Sequence, residues 1–181
     1  MKALLIIDMQ VGLFGAETPR FDAEGVVRRL NELSEHFRRN GDKVIFIQHE
    51  GPDDKTFLKG SDGWNILPSL VRRQEDIVIP KSKNDPFYRT DLEATLKSLG
   101  VTQIYITGCA TDFCVDATVH AALARDMDIV VVRDCHTTAD RPHLPAHKVM
   151  EHHEWLWQNM YPTKGRIALV SSKDILPEEH L

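Results

Sequence analysis

Several short apolar runs of this sequence end in a side chain that can take part in hydrolytic chemistry. Asp8 ends "KALLIID", His49 follows "KVIFIQ", Lys81 follows "DIVIP", and Cys114 lies just after "QIYIT" in the turn "GCATDFC". If these runs are parallel strands, their carboxyl ends meet at one edge of the sheet, where open α/β sheets bind ligands. The sequence therefore predicts one site with a carboxylate, an imidazole, an ammonium and a thiol.

Cys114 is the candidate nucleophile. It lies near the start of a helical pattern that Asp112 or Thr111 would cap. A helix N-terminus and a nearby lysine both lower the pKa of a thiol, and free backbone N–H groups there can hold an oxyanion. The alternative is a buried cysteine packed as a small apolar residue. For Asp8 the alternative is a turn cap, and for Lys81 a solvated side chain.

The other cysteines and the histidines carry weaker signals. Cys109 and Cys135 are interpreted as core residues, because no C-x-x-C spacing indicates a redox pair. His143 and His147 are expected on a helix surface, while His152 or His153 could face a site or a subunit contact. No zinc spacing, glycine-rich dinucleotide fingerprint or Walker loop occurs, so we predict neither a metal nor a cofactor.

The fold expected to position these residues is an α/β sandwich. Apolar runs that do not alternate with polar residues are typical of parallel strands covered on both faces. They alternate with helical segments, which predicts a single domain over residues 1–181, with three layers and a six-stranded, mostly parallel, doubly wound sheet. The predicted strands cover residues 2–8, 43–48, 76–80, 103–107, 128–134 and 166–171.

Two helices and one long loop stand out between the predicted strands. Residues 21–41 place apolar side chains three or four apart, and residues 88–100 do the same with Thr90 as a candidate N-cap. Residues 49–75 show no clear regular structure. Loops of this length in compact domains often line or cover a site. The inward positions of the first helix are expected to be Val26, Leu30, Leu33 and Phe37.

Composition narrows the classes of partner. The chain has 181 residues and a formal net charge of −5, which argues against nucleic acid, because that binding relies on clustered Lys and Arg. No stretch approaches the roughly 18 apolar residues of a membrane span. Three cysteines without a disulfide pattern favour the reducing cytoplasm. The expected partner is a small-molecule substrate.

Three segments in order carry a resemblance over nearly the whole chain. They are "ALLIIDMQ", "PKSKNDPFYRTDLEATLKSLGV" and "ITGCATDFCVDATVHAALARDMDIVVVRDCHTTAD". With these motifs the sequence resembles the isochorismatase-like cysteine hydrolases. The resemblance implies that Cys114 attacks a carbonyl carbon, that Asp8 transfers protons, and that Lys81 stabilises the negative charges.

The resemblance also implies a cis peptide bond between Cys109 and Ala110, and an oxyanion hole built from the N–H groups of Ala110 and Cys114. Nicotinamidases of this superfamily carry metal ligands after the second strand, whereas this chain has "IFIQHEGPDD" there. We therefore expect a member of the metal-free branch. The residues expected to border the substrate are Gln10, Phe14, His49, Trp64 and Phe113.

The leading functional hypothesis is a hydrolase of a small amide or related C–N bond that forms a covalent thioester. A vinyl ether hydrolase of the isochorismatase type is the alternative within enzymes, although Cys114 argues against it. A non-catalytic binding or thiol-sensing protein is the alternative outside them. Relatives of this kind commonly form homodimers or homotetramers, and the segment "HHEWLWQNMY" could supply an interface or contribute Trp155 and Trp157 to the core.

Overall fold

The computed structural model describes residues 1–51 and 55–176. Strands and helices alternate along them, except that the second and third strands follow one another without a helix between them. The strands are β1 (Lys2–Ile7), β2 (Lys43–His49), β3 (Ile77–Lys81), β4 (Gln103–Cys109), β5 (Asp128–Thr137) and β6 (Ile167–Val170). The α-helices are α1 (Ala23–Arg39), α2 (Leu92–Ser98), α3 (Asp116–Leu123) and α4 (Ala146–Gln158).

The six strands form one sheet in the order β3-β2-β1-β4-β5-β6. Every pairing is parallel, which confirms the predicted sheet. From β1 the chain builds outward first through β2 and β3, then returns to add β4 on the other side. The boundary between β1 and β4 is therefore the topological switch point, where the loops after the two strands diverge and leave a crevice.

Both faces of the sheet are covered. In β1, the side chains of Ala3, Leu5 and Ile7 belong to one buried cluster, and those of Leu4 and Ile6 belong to another. Helix α1 packs on the second cluster, while α2, α3 and the buried Trp157 of α4 pack on the first. Because strand side chains alternate between faces, a continuous apolar run supplies both layers at once.

The predicted helices are present but shorter. Helix α1 covers Ala23–Arg39 within the predicted 21–41, and its four expected inward side chains are all buried. Helix α2 begins only at Leu92. The prediction of Thr90 as its N-cap was wrong, because Asp91 occupies that position and makes no side-chain cap hydrogen bond. The Thr90 hydroxyl instead donates to the Pro86 carbonyl and accepts from the Leu92 N–H.

Four strands, β2, β3, β4 and β5, extend further toward the site than the sequence predicted. Lys81 is the last residue of β3 rather than the first residue after it. Strand β5 continues to Thr137, three residues beyond the predicted end, because His136 and Thr137 pair with Gly108 and Cys109 of β4. The added pairing follows a register shift between Ile106 and Gly108. These extensions bring polar residues of β5 beside the turn that carries Cys114.

The long segment after β2 lacks helices and strands over residues 55–75, as predicted, apart from a single bridge between Gln10 and Ile66. Residues 52–54 of that segment lie outside the described residues. His143 lies in a turn before α4, so its expected place on a helix was wrong, whereas His147 is an exposed residue of α4. Within residues 1–51 and 55–176, every helix is too short or too polar to cross a bilayer.

Candidate active site

Asp8 follows β1 at the switch point and has an unusual backbone conformation. Its φ is 48°, in the left-handed region that non-glycine residues rarely adopt. Its N–H still donates to the Ile47 carbonyl at 2.9 Å, and its carbonyl accepts from the Gln10 N–H at 2.8 Å. These bonds hold the turn, so the side chain of Asp8, which is 2% exposed, has a fixed direction at the carboxyl edge of the sheet.

Lys81 brings a buried ammonium group to the same place. Its Nζ donates to Asp8 Oδ2 at 2.7 Å, to Cys114 Sγ at 3.3 Å and to the Lys83 carbonyl at 3.1 Å. The residue is only 3% exposed. Removing an ammonium from water is costly, and the Asp8 carboxylate together with the other two acceptors offsets that cost. Lys81 therefore connects the carboxylate to the thiol.

The turn between β4 and α3 carries Cys114. Gly108 has a φ of 110°, and a Cβ there would overlap the backbone of Ile7, so only glycine fits. The peptide bond between Cys109 and Ala110 is cis, where the resemblance placed such a bond. A π-helical turn, Thr111–Val115, then precedes α3, and the Ala110 carbonyl accepts from the N–H groups of Phe113 and Val115.

The predicted cap of this turn was wrong. Cys114 lies inside the π-helical turn, and Ala110 is its N-cap. The side chains of Thr111 and Asp112 instead bind the neighbouring elements. Thr111 Oγ1 lies 2.9 Å from His136 Nδ1, and Asp112 accepts two hydrogen bonds from Arg141 at 2.7 and 2.8 Å. The turn is thus fixed by side chains on β5 and on the loop after it.

The resting thiol is neutral, which corrects the expected lowering of its pKa. Burial and the nearby Asp8 carboxylate raise the pKa of Cys114 to about 12 and outweigh the opposite effect of Lys81. Burial alone would lower the pKa of Lys81, but the charge of Asp8 and the hydrogen bonds to Asp8 and Cys114 raise it above its ordinary value of 10.5. The site therefore holds a protonated lysine beside a thiol that needs a base.

A proton acceptor is available on Asp8. Its Oδ2 accepts from Lys81, whereas the buried Oδ1 has no hydrogen-bond partner among residues 1–51 and 55–176. Buried carboxylate oxygens are usually satisfied, so a free one beside a nucleophile is a functional signal. The thiol of Cys114 donates weakly to Asn84 Oδ1, with 3.7 Å between the heavy atoms. This arrangement offers a candidate nucleophile, a candidate base and a fixed positive charge.

A cavity of about 260 Å³ opens at the thiol, a volume suited to a small substrate. Its wall combines apolar side chains with two guanidinium groups. The residues that line it are Asp8, Leu13, Arg20, His49, Phe57, Asn84, Cys109, Ala110, Phe113, Cys114 and Arg141.

The residues expected to border the substrate divide into two groups. His49 and Phe113 line the cavity, and Phe113 is 51% exposed. The structure does not bring Gln10, Phe14 or Trp64 to this cavity. The Gln10 amide is used by the backbone, since it donates to the carbonyls of His49 and Trp64 and accepts from the His49 N–H. Phe14 packs against the core on the α1 face, and Trp64 lines a separate cavity.

Several lining residues were not found by sequence reasoning. Arg20 and Arg141 occur in irregular segments, and nothing in their local sequence distinguishes them from surface arginines. Asn84 lies in the turn "KSKND", and its closeness to Lys81 along the sequence was the only available signal. Contacts between distant loops determine all three positions.

Cys109 and Cys135 are buried and, like Cys114, free. Burial raises the pKa of Cys109 to about 12. Within the two ranges that the structure describes, no group of three or more His, Cys, Asp or Glu residues is arranged to hold a metal ion.

Comparison with known proteins gives the family. The family model described as the isochorismatase domain matches residues 2–170. This chain belongs to the isochorismatase family. The family protein YaaI of Bacillus subtilis is 33% identical over 144 residues, which are 74% of this chain and 79% of YaaI. A solved structure titled as an isochorismatase family protein superposes with a TM-score of 0.86 at 28% identity, covering 94% of this chain and 98% of the other.

Other similar proteins have named activities. Streptothricin hydrolase of Streptomyces noursei is 29% identical over 146 residues, which cover 81% of this chain. They cover 58% of the hydrolase, so the chain spans little more than half the length of that relative. N-carbamoylsarcosine amidase of Thermoplasma acidophilum has a TM-score of 0.75 at 23% identity, covering 94% of this chain and 96% of the other. That similarity shows a shared fold.

Proposed function

We propose that this protein is a cysteine hydrolase that cleaves the C–N bond of a small amide through a thioester at Cys114. The observation that carries the proposal is the position of the Lys81 ammonium, which contacts both Asp8 Oδ2 at 2.7 Å and Cys114 Sγ at 3.3 Å beside the cavity. A thiol with a base and a cation in contact is the arrangement of an activated nucleophile.

In the acylation step, Asp8 accepts the Cys114 proton as the sulfur attacks the carbonyl carbon. The C–S bond forms, and the electron pair of the C=O bond moves to the oxygen. We assign the N–H groups of Ala110 and Cys114 as donors to this oxyanion, because both residues line the cavity at the π-helical turn. The C–N bond then breaks, and the proton on Asp8 passes to the leaving nitrogen.

In the deacylation step, water attacks the thioester. Asp8 accepts a proton from the water as the water oxygen bonds to the carbonyl carbon. When the tetrahedral intermediate collapses, the C–S bond breaks, and the sulfur recovers the proton from Asp8. The carboxylic acid leaves, and the enzyme returns to its starting state. Lys81 keeps its charge throughout and stabilises whichever of Asp8 and Cys114 is negative.

The raised pKa of Cys114 suits this sequence of proton transfers. A resting thiolate would add a second negative charge next to Asp8, although the one Lys81 ammonium contacts both groups. Because the thiol is neutral at rest, the thiolate forms only when the carbonyl carbon is present to accept its electrons. The charge stabilisation by Lys81 is then concentrated on the transition state, where it accelerates the reaction.

The test is ammonia or amine release from a set of small amides, ureido acids and hydroxamates. Wild type is compared with Cys114→Ala and with Cys135→Ala, which removes a buried thiol away from the cavity. We expect release by wild type and Cys135→Ala, and a loss of about 10³-fold or more in Cys114→Ala. Undiminished release by Cys114→Ala would overturn the mechanism.

The same variants separate the two alternatives. A vinyl ether hydrolase of the isochorismatase type would retain its activity without Cys114. A non-catalytic sensor would show a Cys114 that iodoacetamide labels but no turnover of any compound in the set. The free acceptor oxygen of Asp8 favours the hydrolase, because a binding protein gains nothing from leaving a buried carboxylate oxygen without a partner.

Two further expectations remain part of this proposal. Three free cysteines suit a reducing compartment, which we propose is the cytoplasm. We also propose that the protein forms a homodimer or homotetramer. Trp157 is fully buried, but Trp155 is 60% exposed on α4 and is available for a subunit contact. Light scattering at micromolar concentration tests this, and a monomeric mass would refute it.

A further inference from the structure

The charged groups around the cavity are not balanced. Asp8 is paired with Lys81, with 2.7 Å between the charged atoms. Arg141 is paired with Asp112, whose two oxygens accept from its Nε at 2.7 Å and from its Nη2 at 2.8 Å. Arg20, by contrast, forms no ion pair with any residue of the described ranges. The cavity wall therefore carries one positive charge without a counter-charge.

Arg20 is also held in a defined position. Its backbone forms an antiparallel bridge with Ala139, and its Nε donates to the Leu13 carbonyl at 2.6 Å. The second anchor lies beside the cavity, since Leu13 lines it too. Burial raises the pKa of Cys109, and the Arg20 charge opposes that rise, which is consistent with a guanidinium close to the cavity floor. The two terminal Nη groups have no hydrogen-bond partner among the described residues.

A guanidinium fixed through Nε and free at both Nη groups matches one kind of ligand group. A planar carboxylate can accept two parallel hydrogen bonds from such a fork, and little entropy is lost because the fork is already oriented. Arg141 is less suited to the same part, because its Nε and Nη2 already donate to Asp112, which neutralises its charge. The apolar side chains of Leu13, Phe57 and Phe113 line the rest of the wall and suit a short carbon chain.

We propose that Arg20 binds a carboxylate of the substrate, so that the preferred substrates are small amides that carry a carboxylate elsewhere in the molecule. The part of this inference that concerns substrate turnover rests on the proposed function. The carboxylate binding itself does not require turnover. Two experiments therefore test the binding and the substrate class separately.

The first experiment measures alkylation of Cys114 by two reagents that differ only in charge. Iodoacetate carries a carboxylate where iodoacetamide carries a neutral amide. The ratio of the two rates is measured at one pH and ionic strength for wild type, Arg20→Met and Arg28→Met, with Cys114→Ala as the blank. Arg28 is an exposed arginine of α1 and controls for the loss of one charge.

We expect the iodoacetate-to-iodoacetamide ratio to fall about 10- to 100-fold in Arg20→Met, the size of a charge-assisted hydrogen bond. Arg28→Met should match wild type. An unchanged ratio in Arg20→Met, or an equal loss of both rates, would overturn the inference. If Arg20→Met does not fold, Arg20→Lys keeps the charge without the fork. It should then give a ratio below that of wild type, and a wild-type ratio would count against bidentate binding.

The second experiment compares kcat/KM for matched substrates, succinamate against butyramide and malonamate against propionamide. Wild type should prefer the anionic member of each pair, and Arg20→Met should lose that preference, so that the anionic-to-neutral ratio of kcat/KM falls about 10- to 100-fold. Cys114-dependent hydrolysis without an Arg20-dependent preference would refute the substrate class and leave the proposed function intact. An Arg20-dependent alkylation ratio without hydrolysis of any amide would support carboxylate binding and refute the proposed function.

Discussion

Cys114 and Cys135 each lie near a carboxylate and a cation, yet only Cys114 opens on a cavity. Burial raises the pKa of both thiols, that of Cys114 to about 12 and that of Cys135 still further. Nearby carboxylates raise both values as well. The acidity of the resting thiol therefore does not distinguish the proposed nucleophile from a core residue in this protein.

The two thiols differ in the hydrogen bonding of the carboxylate beside each of them. Asp134, next to Cys135, accepts hydrogen bonds on both oxygens from the backbone N–H and hydroxyl of Ser172, and Arg29 Nε lies 3.5 Å from Oδ2. Asp8 keeps one buried oxygen without a partner in the described part of the chain. A thiol reacts where a base has a vacant acceptor site and a substrate can enter, and Cys114 meets both conditions.

The largest expected effect distinguishes the carboxylate of Asp8 from that of Asp134. Asp8→Asn removes the proposed base, and we expect kcat/KM for amide hydrolysis to fall about 10²- to 10⁴-fold. Asp134→Asn is the matched control, because it removes a carboxylate beside the other buried thiol. Its kcat/KM should stay within a few-fold of wild type. Equal losses in the two variants would mean that Asp8 acts only through the fold.

The second effect concerns stability and the two cations. Lys81→Met leaves the Asp8 carboxylate buried without its partner, which we expect to lower the free energy of unfolding by about 3–5 kcal/mol. Arg29→Met should cost less, about 1 kcal/mol, since its ion pairs are partly exposed and Asp134 keeps its Ser172 bonds. Urea unfolding measures both.

The double variant Asp8→Asn with Lys81→Met provides the control for the buried pair. It removes both charges together, so it should be more stable than Lys81→Met alone while remaining inactive. A double variant as unstable as the sum of its two single variants would show that Asp8 and Lys81 do not interact in the folded protein.

A third prediction separates the thiol's acidity from its reactivity. Asp8 raises the pKa of Cys114, so Asp8→Asn should lower that pKa below about 12 and increase the thiolate fraction at any given pH. Absorbance of the thiolate near 240 nm, with Cys114→Ser as the blank, measures the titration. Hydrolysis should fall although the thiolate increases. A higher pKa in Asp8→Asn would contradict the assigned direction of the interaction.

The smallest effect concerns the turn that carries Cys114. Burial opposes ionisation of Asp112, but hydrogen bonds from Arg141 and Thr138 outweigh it and lower the pKa of Asp112 below its ordinary value of 3.8. Its contribution to stability is thus present above pH 3.8 and lost as the pH falls through the lower folded value. Asp112→Asn should cost about 1 kcal/mol at neutral pH.

Unfolding at several pH values measures this contribution. The gap between wild type and Asp112→Asn should close below pH 3.8, because protonated Asp112 resembles asparagine. A gap that stays constant into acid would show that the charge of Asp112 does not contribute. Strand β5, which carries Cys135, is instead held by backbone pairing with β4 and β6. A side-chain substitution such as Asp112→Asn does not remove that pairing.

The sequence was sufficient for the parts of this molecule that depend on local patterns. Continuous apolar runs predicted the parallel sheet, and the strand ends predicted that Asp8, Lys81 and Cys114 meet, since parallel strands share one carboxyl edge. The π-helical turn was not predictable. Its N-cap is the backbone of Ala110, and side chains from β5 and the loop after it bind Thr111 and Asp112 inside the turn. The use of the Gln10 amide by the backbone was not predictable either, since its partners come from distant residues.

The central claim is a common acyl intermediate on Cys114, and partition to hydroxylamine tests it most directly. The primary amide and the methyl ester of the same carboxylic acid are each incubated with the enzyme and hydroxylamine. The ratio of hydroxamate to free acid is then measured for each substrate. Because both substrates would form the same thioester at Cys114, we predict one ratio for the two, with neither product formed by Cys114→Ala. Ratios that differ with the leaving group, or product formation without the thiol, would contradict the thioester mechanism.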